Sequence, residues 1–167
     1  MTYIHPTAII YPDVRIGKDC YIGPYCLIGF QAQISHDFGQ HPEGKVVIGD
    51  NVVLKGFCTI DSGTFRPTLI DDGCFLMYYA HVGHDCEIHE NVTLSVGVAI
   101  GGETTIKADT NVGLGAAIHQ QTTIPQRCMI GMNAAVTRKG AMAMKPSQTW
   151  GRVPARLIGP NKKWLKG

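Results

Sequence analysis

Long apolar runs are missing from this chain. None approaches the roughly 20 residues of a membrane-spanning helix, so a helical span is not expected. The opening MTYIHPTAII has no basic stretch leading into an apolar one, and nothing in it reads as a secretory signal. A cytoplasmic location is therefore the expectation. Acid is missing from one end: all 13 acidic residues lie at or before Asp109, and the stretch beyond holds only bases, among them Arg127, Arg138, Arg152 and Arg156. Either that end is a solvated basic tail, or it meets a phosphate-rich or acidic partner. Arg152 and Arg156 are the candidates for such phosphates, because guanidinium groups pair bidentately with them. Aromatics are scarce there as well, Trp150 and Trp164 alone, which argues against nucleic acid. Six cysteines are present, but no Cys-x-x-Cys spacing occurs, so neither a zinc knuckle nor a redox pair is signalled.

What the chain does have is a period of six. Ile, Leu or Val recurs at Ile4, Ile10, Ile16, Ile22, Ile28 and Ile34, then at Ile48, Leu54 and Ile60. From Ile70 the register runs unbroken through Leu76, Val82, Ile88, Leu94, Ile100, Ile106, Val112, Ile118, Ile124 and Ile130 to Val136. Most are followed four residues later by a small residue, such as Ala8, Cys20, Ala80, Thr104 or Ala116. Six matches neither the 3.6 of a helix nor the 2 of a long strand. It fits short strands joined by corners and wound into a β-solenoid, with aliphatic and small positions stacked inside. All six cysteines fall on the small inward position, where a thiol acts as a small hydrophobe. The expected fold is all-β: about seven coils of three hexapeptides over residues 1–140, then a basic tail over 141–167. Two external loops, within 35–47 and 61–69, should leave from one edge, where a rigid scaffold positions loops for function.

Polar residues gather on three consecutive coils. Val82, Ile100 and Ile118 occupy equivalent hexads. Around them stand His81, His84 and Asp85, then Gly101 and Gly102, then His119 and Gln120. None of the histidines is at an inward position. Rungs are about 4.8 Å apart, so His84 and His119 are separated by roughly 10 Å across a glycine step. The pattern suggests a polar slot with bare backbone at its floor. Asp85 is placed to fix the tautomer of His84, and a neutral imidazole suits proton abstraction from a hydroxyl or amine. Gly101 is the candidate N–H donor to an oxyanion.

At these residues the chain resembles a known family. Tyr79-Ala-His-Val-Gly-His-Asp-Cys, with Ala99-Ile-Gly-Gly and Ala117-Ile-His-Gln, is similar to the acyl-carrier-protein-dependent UDP-N-acetylglucosamine O-acyltransferases of lipid A biosynthesis. Ile-His-Pro-Thr-Ala-Ile at the start is similar too. The resemblance implies a left-handed parallel β-helix, an exception to the usual crossover hand, and a homotrimer with sites between subunits. It implies His84 as catalytic base with Asp85 orienting it, Gly101 as oxyanion amide, and His119 and Gln120 lining the site. His81 would contact the sugar nucleotide, His36 and Asp37 match a sugar-binding acid, Arg152 falls near a nucleotide-contacting segment, and Met132 matches a position that limits acyl length.

Departures from that family shape the expectation. Gly102 stands where a histidine usually follows the oxyanion glycine. No counterpart of a C-terminal helical domain is read, and Gly151-Arg-Val-Pro-Ala-Arg-Leu-Ile-Gly is similar to the tail of short acetyltransferases that use coenzyme A. The expected enzyme moves a short acyl group from coenzyme A or acyl carrier protein to a nucleotide-linked sugar, an amino sugar destined for bacterial surface polysaccharide such as lipopolysaccharide. No tightly bound cofactor or metal is expected. The lipid A O-acyltransferase itself is one alternative. Another is a γ-class carbonic anhydrase, whose close histidine pair is spaced five apart rather than three; one chain cannot bring His84 and His119 to a single zinc with ligand bonds of about 2 Å. A scaffold without catalysis would keep the hexads but gives no reason for the polar residues.

Overall fold

The computed structural model describes residues 1–33 and 44–164. Strands of two to four residues follow one another at the hexad spacing, and each pairs in parallel with its counterpart in the next coil. Three sheets result. Face A is centred on Ile4, Ile22, Leu54, Leu76, Leu94, Val112 and Ile130. Face B is centred on Ile10, Ile28, Ile60, Val82, Ile100, Ile118 and Val136, and face C on Ile16, Ile48, Ile70, Ile88, Ile106 and Ile124. The molecule is the parallel β-helix that the period of six calls for.

The aliphatics point inward and stack, most of them without solvent contact. Burying such a side chain contributes about 1.5–3 kcal/mol, and the repeat supplies one per strand. The six cysteines are buried and unpaired beside them. Burial pushes the Cys74 and Cys86 thiols up to about 12, so these are packing groups rather than nucleophiles. Corners are made by the residue three after the aliphatic, which adopts left-handed φ: Tyr79 at 62°, Asp85 at 57°, Glu103 at 58° and Gln121 at 55°. The corner is therefore set by position in the hexad and not by glycine.

Two details differ from the sequence reading. Register pairs Ile16 directly with Ile48, so Ile48 closes the second coil rather than Ile34, which lies outside the described residues. Both interruptions then fall between face B and face C, as a shared edge required. The expected tail also continues the helix. Gln148–Gly151 adds a further parallel rung to face A, with Trp150 on Ile130, and Arg156–Pro160 returns antiparallel beside it. On face C a short helix, Arg138–Ala141, packs against the strand Thr123–Ile124 after the last rung, its first turn capped by the Thr137 hydroxyl.

Candidate active site

The corner between faces B and C collects most of the polar residues. Asp85 occupies its left-handed position and is fully buried. The loop over residues 61–69 folds back onto that carboxylate. Backbone N–H groups of Thr64, Phe65 and Arg66 donate to Oδ1 at 2.8, 3.2 and 3.1 Å, and the Thr64 hydroxyl donates to Oδ2 at 2.6 Å. Thr68 Oγ1 accepts from the Asp85 amide at 2.9 Å, and Arg66 Nε donates to the Asp85 carbonyl at 3.0 Å before its guanidinium reaches Glu87. Burial opposes the charge on Asp85, but the Thr64 hydroxyl, His84 and the loop amides outweigh it and hold the carboxyl at about 2. The carboxylate is ionised at neutral pH.

Its remaining partner is His84, whose Nδ1–H donates to Asp85 Oδ2 at 2.7 Å. That bond fixes the tautomer and leaves the Nε2 lone pair free. The ring lies directly over the next coil: a Cβ on Gly102 would come within 2.5 Å of His84 Nε2. Only glycine lets the imidazole rest there.

The geometry moves the oxyanion assignment by one residue. The Gly101 N–H already donates to the Ile118 carbonyl at 2.9 Å in the sheet ladder, so it cannot serve a substrate oxygen. The Gly102 N–H has no partner among the described residues and sits beneath His84. Gly102, not Gly101, is the candidate donor, and the residue that follows it is Glu103. The bareness of Gly101 has a packing cause instead, since a Cβ there would lie 2.6 Å from the Gln120 nitrogen.

The other expected residues divide. His81 is on face B beside the corner, its Nδ1 within 2.8 Å of Thr59 Oγ1. Gln120 stacks two rungs beyond His84. His119 is exposed, its Nδ1 bonded to the Gln120 carbonyl at 2.9 Å. Met132, Arg152 and Arg156 are not brought to this corner. Met132 lies on the edge between faces A and B, 68% exposed, in a row with Tyr78, Val96 and Leu114. Arg152 falls one rung beyond Met132, and Arg156 pairs across from Gly151. Within one chain these three stand across face B from His84. His36 and Asp37 lie outside the described residues.

Sequence reading missed Asp61. It follows Ile60, the rung partner of Val82, so it lies beside Gly83 at the foot of the same corner. It is buried, near His81 and His84, with Gln33 hydrogen-bonded to it. Its place next to the loop masked it as a loop residue; the register with Val82 was the available signal. Among the described residues one group has metal-ligand types in reach, Asp71, His89 and Glu90. However, Asp71 takes His89 Nδ1 and Lys107 Nζ lies 3.1 Å from Nε2, so both ring nitrogens are engaged.

Coils of this kind, stacked in three parallel sheets, define a hexapeptide-repeat β-helix protein, and the bacterial transferase hexapeptide family (six repeats) matches residues 1–30. More particularly, the chain is similar to acyl-[acyl-carrier-protein]–UDP-N-acetylglucosamine O-acyltransferases. It is 33% identical to that of Campylobacter concisus over 59% of this chain and 38% of the relative. With that of Paraburkholderia phytofirmans the identity is 29%, over 64% and 55%. The chain thus spans about half the length of these curated relatives, or less. A solved UDP-N-acetylglucosamine acyltransferase superposes with a TM-score of 0.78 at 28% identity, covering 98% of this chain and 76% of that one. A perosamine N-acetyltransferase from Caulobacter crescentus shares the fold at 19% identity and a TM-score of 0.52, over 95% of this chain and 56% of that one.

Proposed function

We propose that this protein is an acyltransferase that moves a short acyl group from a thioester, acyl-CoA or acyl carrier protein, to a nucleotide-linked amino sugar used for bacterial surface polysaccharide. The observation that carries the reading is the Asp85–His84 pair, tied down by the loop and resting on Gly102. Asp85 holds His84 in the tautomer whose Nε2 takes the nucleophile's proton. The Gly102 N–H then faces the oxygen that becomes negative as the acceptor attacks the thioester carbon. Collapse releases the thiol, which leaves with the proton from His84.

Similarity to the O-acyltransferases supports the transferase class. We take the assembly to be a homotrimer, in which His84 of one copy faces the A–B edge of the next, where Met132 limits the acyl chain and Arg152 and Arg156 meet phosphates. His81, His119 and Gln120 line the acceptor side. Among the described residues no helix is long and apolar enough to cross a membrane, and we place the enzyme in the cytoplasm, where acyl thioesters are made. Screening nucleotide sugars and their amino derivatives against acyl thioesters of increasing length tests the proposal. Acyl transfer to at least one nucleotide sugar is expected. Hydrolysis alone, or no turnover over the whole panel, removes it.

A further inference from the structure

We propose that Asp61 sets the acceptor preference of this corner toward an amine, by presenting a buried carboxylate to a cationic group that enters beside His81 and His84. The proposal rests on the acyltransferase reading above and names the feature that selects its acceptor.

The acids around the corner differ in one respect. Asp85 has its charge satisfied by hydrogen bonds from three amides, a hydroxyl and His84. Glu87 is paired with Arg66, and Glu103 accepts from Gln121. Asp61 is 3% exposed, yet no lysine or arginine pairs with it among the described residues. Its neighbours are the Gln33 amide and the two imidazoles. His84 has to be neutral to act as a base, and His81 is occupied at Nδ1 by Thr59. Burial leaves the Asp61 carboxyl above its ordinary value, although His81, Gln33 and His84 oppose the rise. A buried carboxylate that no lysine or arginine among the described residues pairs with is costly unless something cationic completes it. A hydroxyl acceptor brings no charge and leaves that cost in place, whereas an amine arrives as ammonium.

The chemistry balances with the groups present. The ammonium, drawn in beside Asp61, gives one proton to solvent. The amine lone pair attacks the thioester carbon, so the C–N bond forms and the carbonyl oxygen takes the negative charge opposite the Gly102 N–H. Surplus N–H proton passes to His84 Nε2. As the carbonyl re-forms, the C–S bond breaks and the thiolate leaves with that proton.

The test compares UDP-N-acetylglucosamine with its analogue carrying an amine in place of the 3-hydroxyl, by equilibrium binding without donor and by kcat/KM with acetyl-CoA. Asp61→Asn keeps the shape and removes the charge. It should cost the amine about 10²-fold or more in both readouts, as removing one partner of a buried charge pair does, and change the hydroxyl compound by no more than about twofold. Asp61→Glu should retain the amine preference. Equal losses on both compounds would assign Asp61 a merely structural role, and a wild-type preference for the hydroxyl would end the proposal. If Asp61→Asn fails to melt cooperatively, the comparison moves to Asp61→Glu, where a lost preference is the overturning result. Selective amine binding without any acyl transfer would instead sink the transferase reading and leave Asp61 in its role.

Discussion

The two edges that flank face B share a backbone and differ in everything they present. Both turn through a left-handed residue, Tyr79 on the A–B edge and Asp85 on the B–C edge, at φ 62° and 57°. On the A–B edge that position holds a ladder of exposed rings, Tyr25, Phe57 and Tyr79, with centroids 5.0 Å apart. Beside it Tyr78, Val96, Leu114 and Met132 are also exposed. On the B–C edge the same position is a buried acid wrapped by a loop. Hexads dictate which atoms go inside and where the chain turns; they leave the outward corner free. One edge has spent that freedom on apolar surface, the other on fixed charge and an oriented imidazole.

Breaking the polar edge should give the largest effect. His84→Ala should lower turnover by about 10² or more with the fold intact, read by kinetics and thermal melting together. Near-normal turnover in a folded variant would return the corner to an inert surface. An amine acceptor softens the loss, because a neutral amine needs a base only to collect its proton after attack.

The two glycines sharpen the same comparison. Gly102→Ala drives a Cβ into a side chain, the His84 ring, whereas Gly101→Ala drives one into the backbone at Gln120. The first should cost about tenfold or more in turnover with little change in melting temperature. The second should lower the melting temperature by several degrees, since backbone cannot step aside. Reversed outcomes would restore Gly101 as the oxyanion residue.

Acid should loosen the B–C edge alone. Asp85 has a folded-state carboxyl near 2 against an ordinary 3.8. A depressed carboxyl contributes stability that is full above the ordinary value and disappears as pH falls through the folded one. Melting curves should therefore show wild type losing its advantage over Asp85→Asn between about pH 4 and pH 2. A constant gap across that window would mean the loop does not depend on the charge.

The polar edge was legible in the sequence to a different depth than the apolar one. The period of six exposed the core, the corner spacing and the shared edge of both loops, because those follow from geometry repeated twenty times. His84 and Asp85 were legible because polar residues at outward positions broke the pattern. Gly101 and Gly102 could not be told apart, since which amide is consumed by the ladder depends on strand ends that spacing leaves undefined. Asp61 was hidden by the loop that follows it. Arg152 was placed by charge, which does not say which edge a side chain occupies until the register of Trp150 on Ile130 is known.

On the A–B edge the effects should be smaller and should divide by substrate. Arg152→Ala is expected to raise KM about fivefold to tenfold for one phosphate-bearing substrate with little loss of turnover, as removal of a binding contact does. An unchanged KM for both substrates would make Arg152 and Arg156 a solvated surface.

Met132 tests whether this edge reaches the chemistry at all. Its side chain stands in line with Leu114 and Val96 and is largely exposed in the single chain, so it can shape the acyl site only from a neighbouring copy. If it does, it fills space that a longer chain would need. Each methylene that finds a groove gains about 0.8 kcal/mol, roughly a fourfold preference per carbon, and a methionine in the way forfeits it. Wild type should therefore favour the shortest thioesters across the range from two to fourteen carbons. Met132→Gly should shift the optimum upward by a few carbons while acetyl transfer stays within about twofold, because flexible methionine is easily dispensed with where nothing packs on it. A wild-type preference that rises with length would show that Met132 blocks nothing. An unshifted optimum in Met132→Gly, with short chains still preferred, would place the acyl limit on the B–C edge and confine the A–B edge to holding copies together.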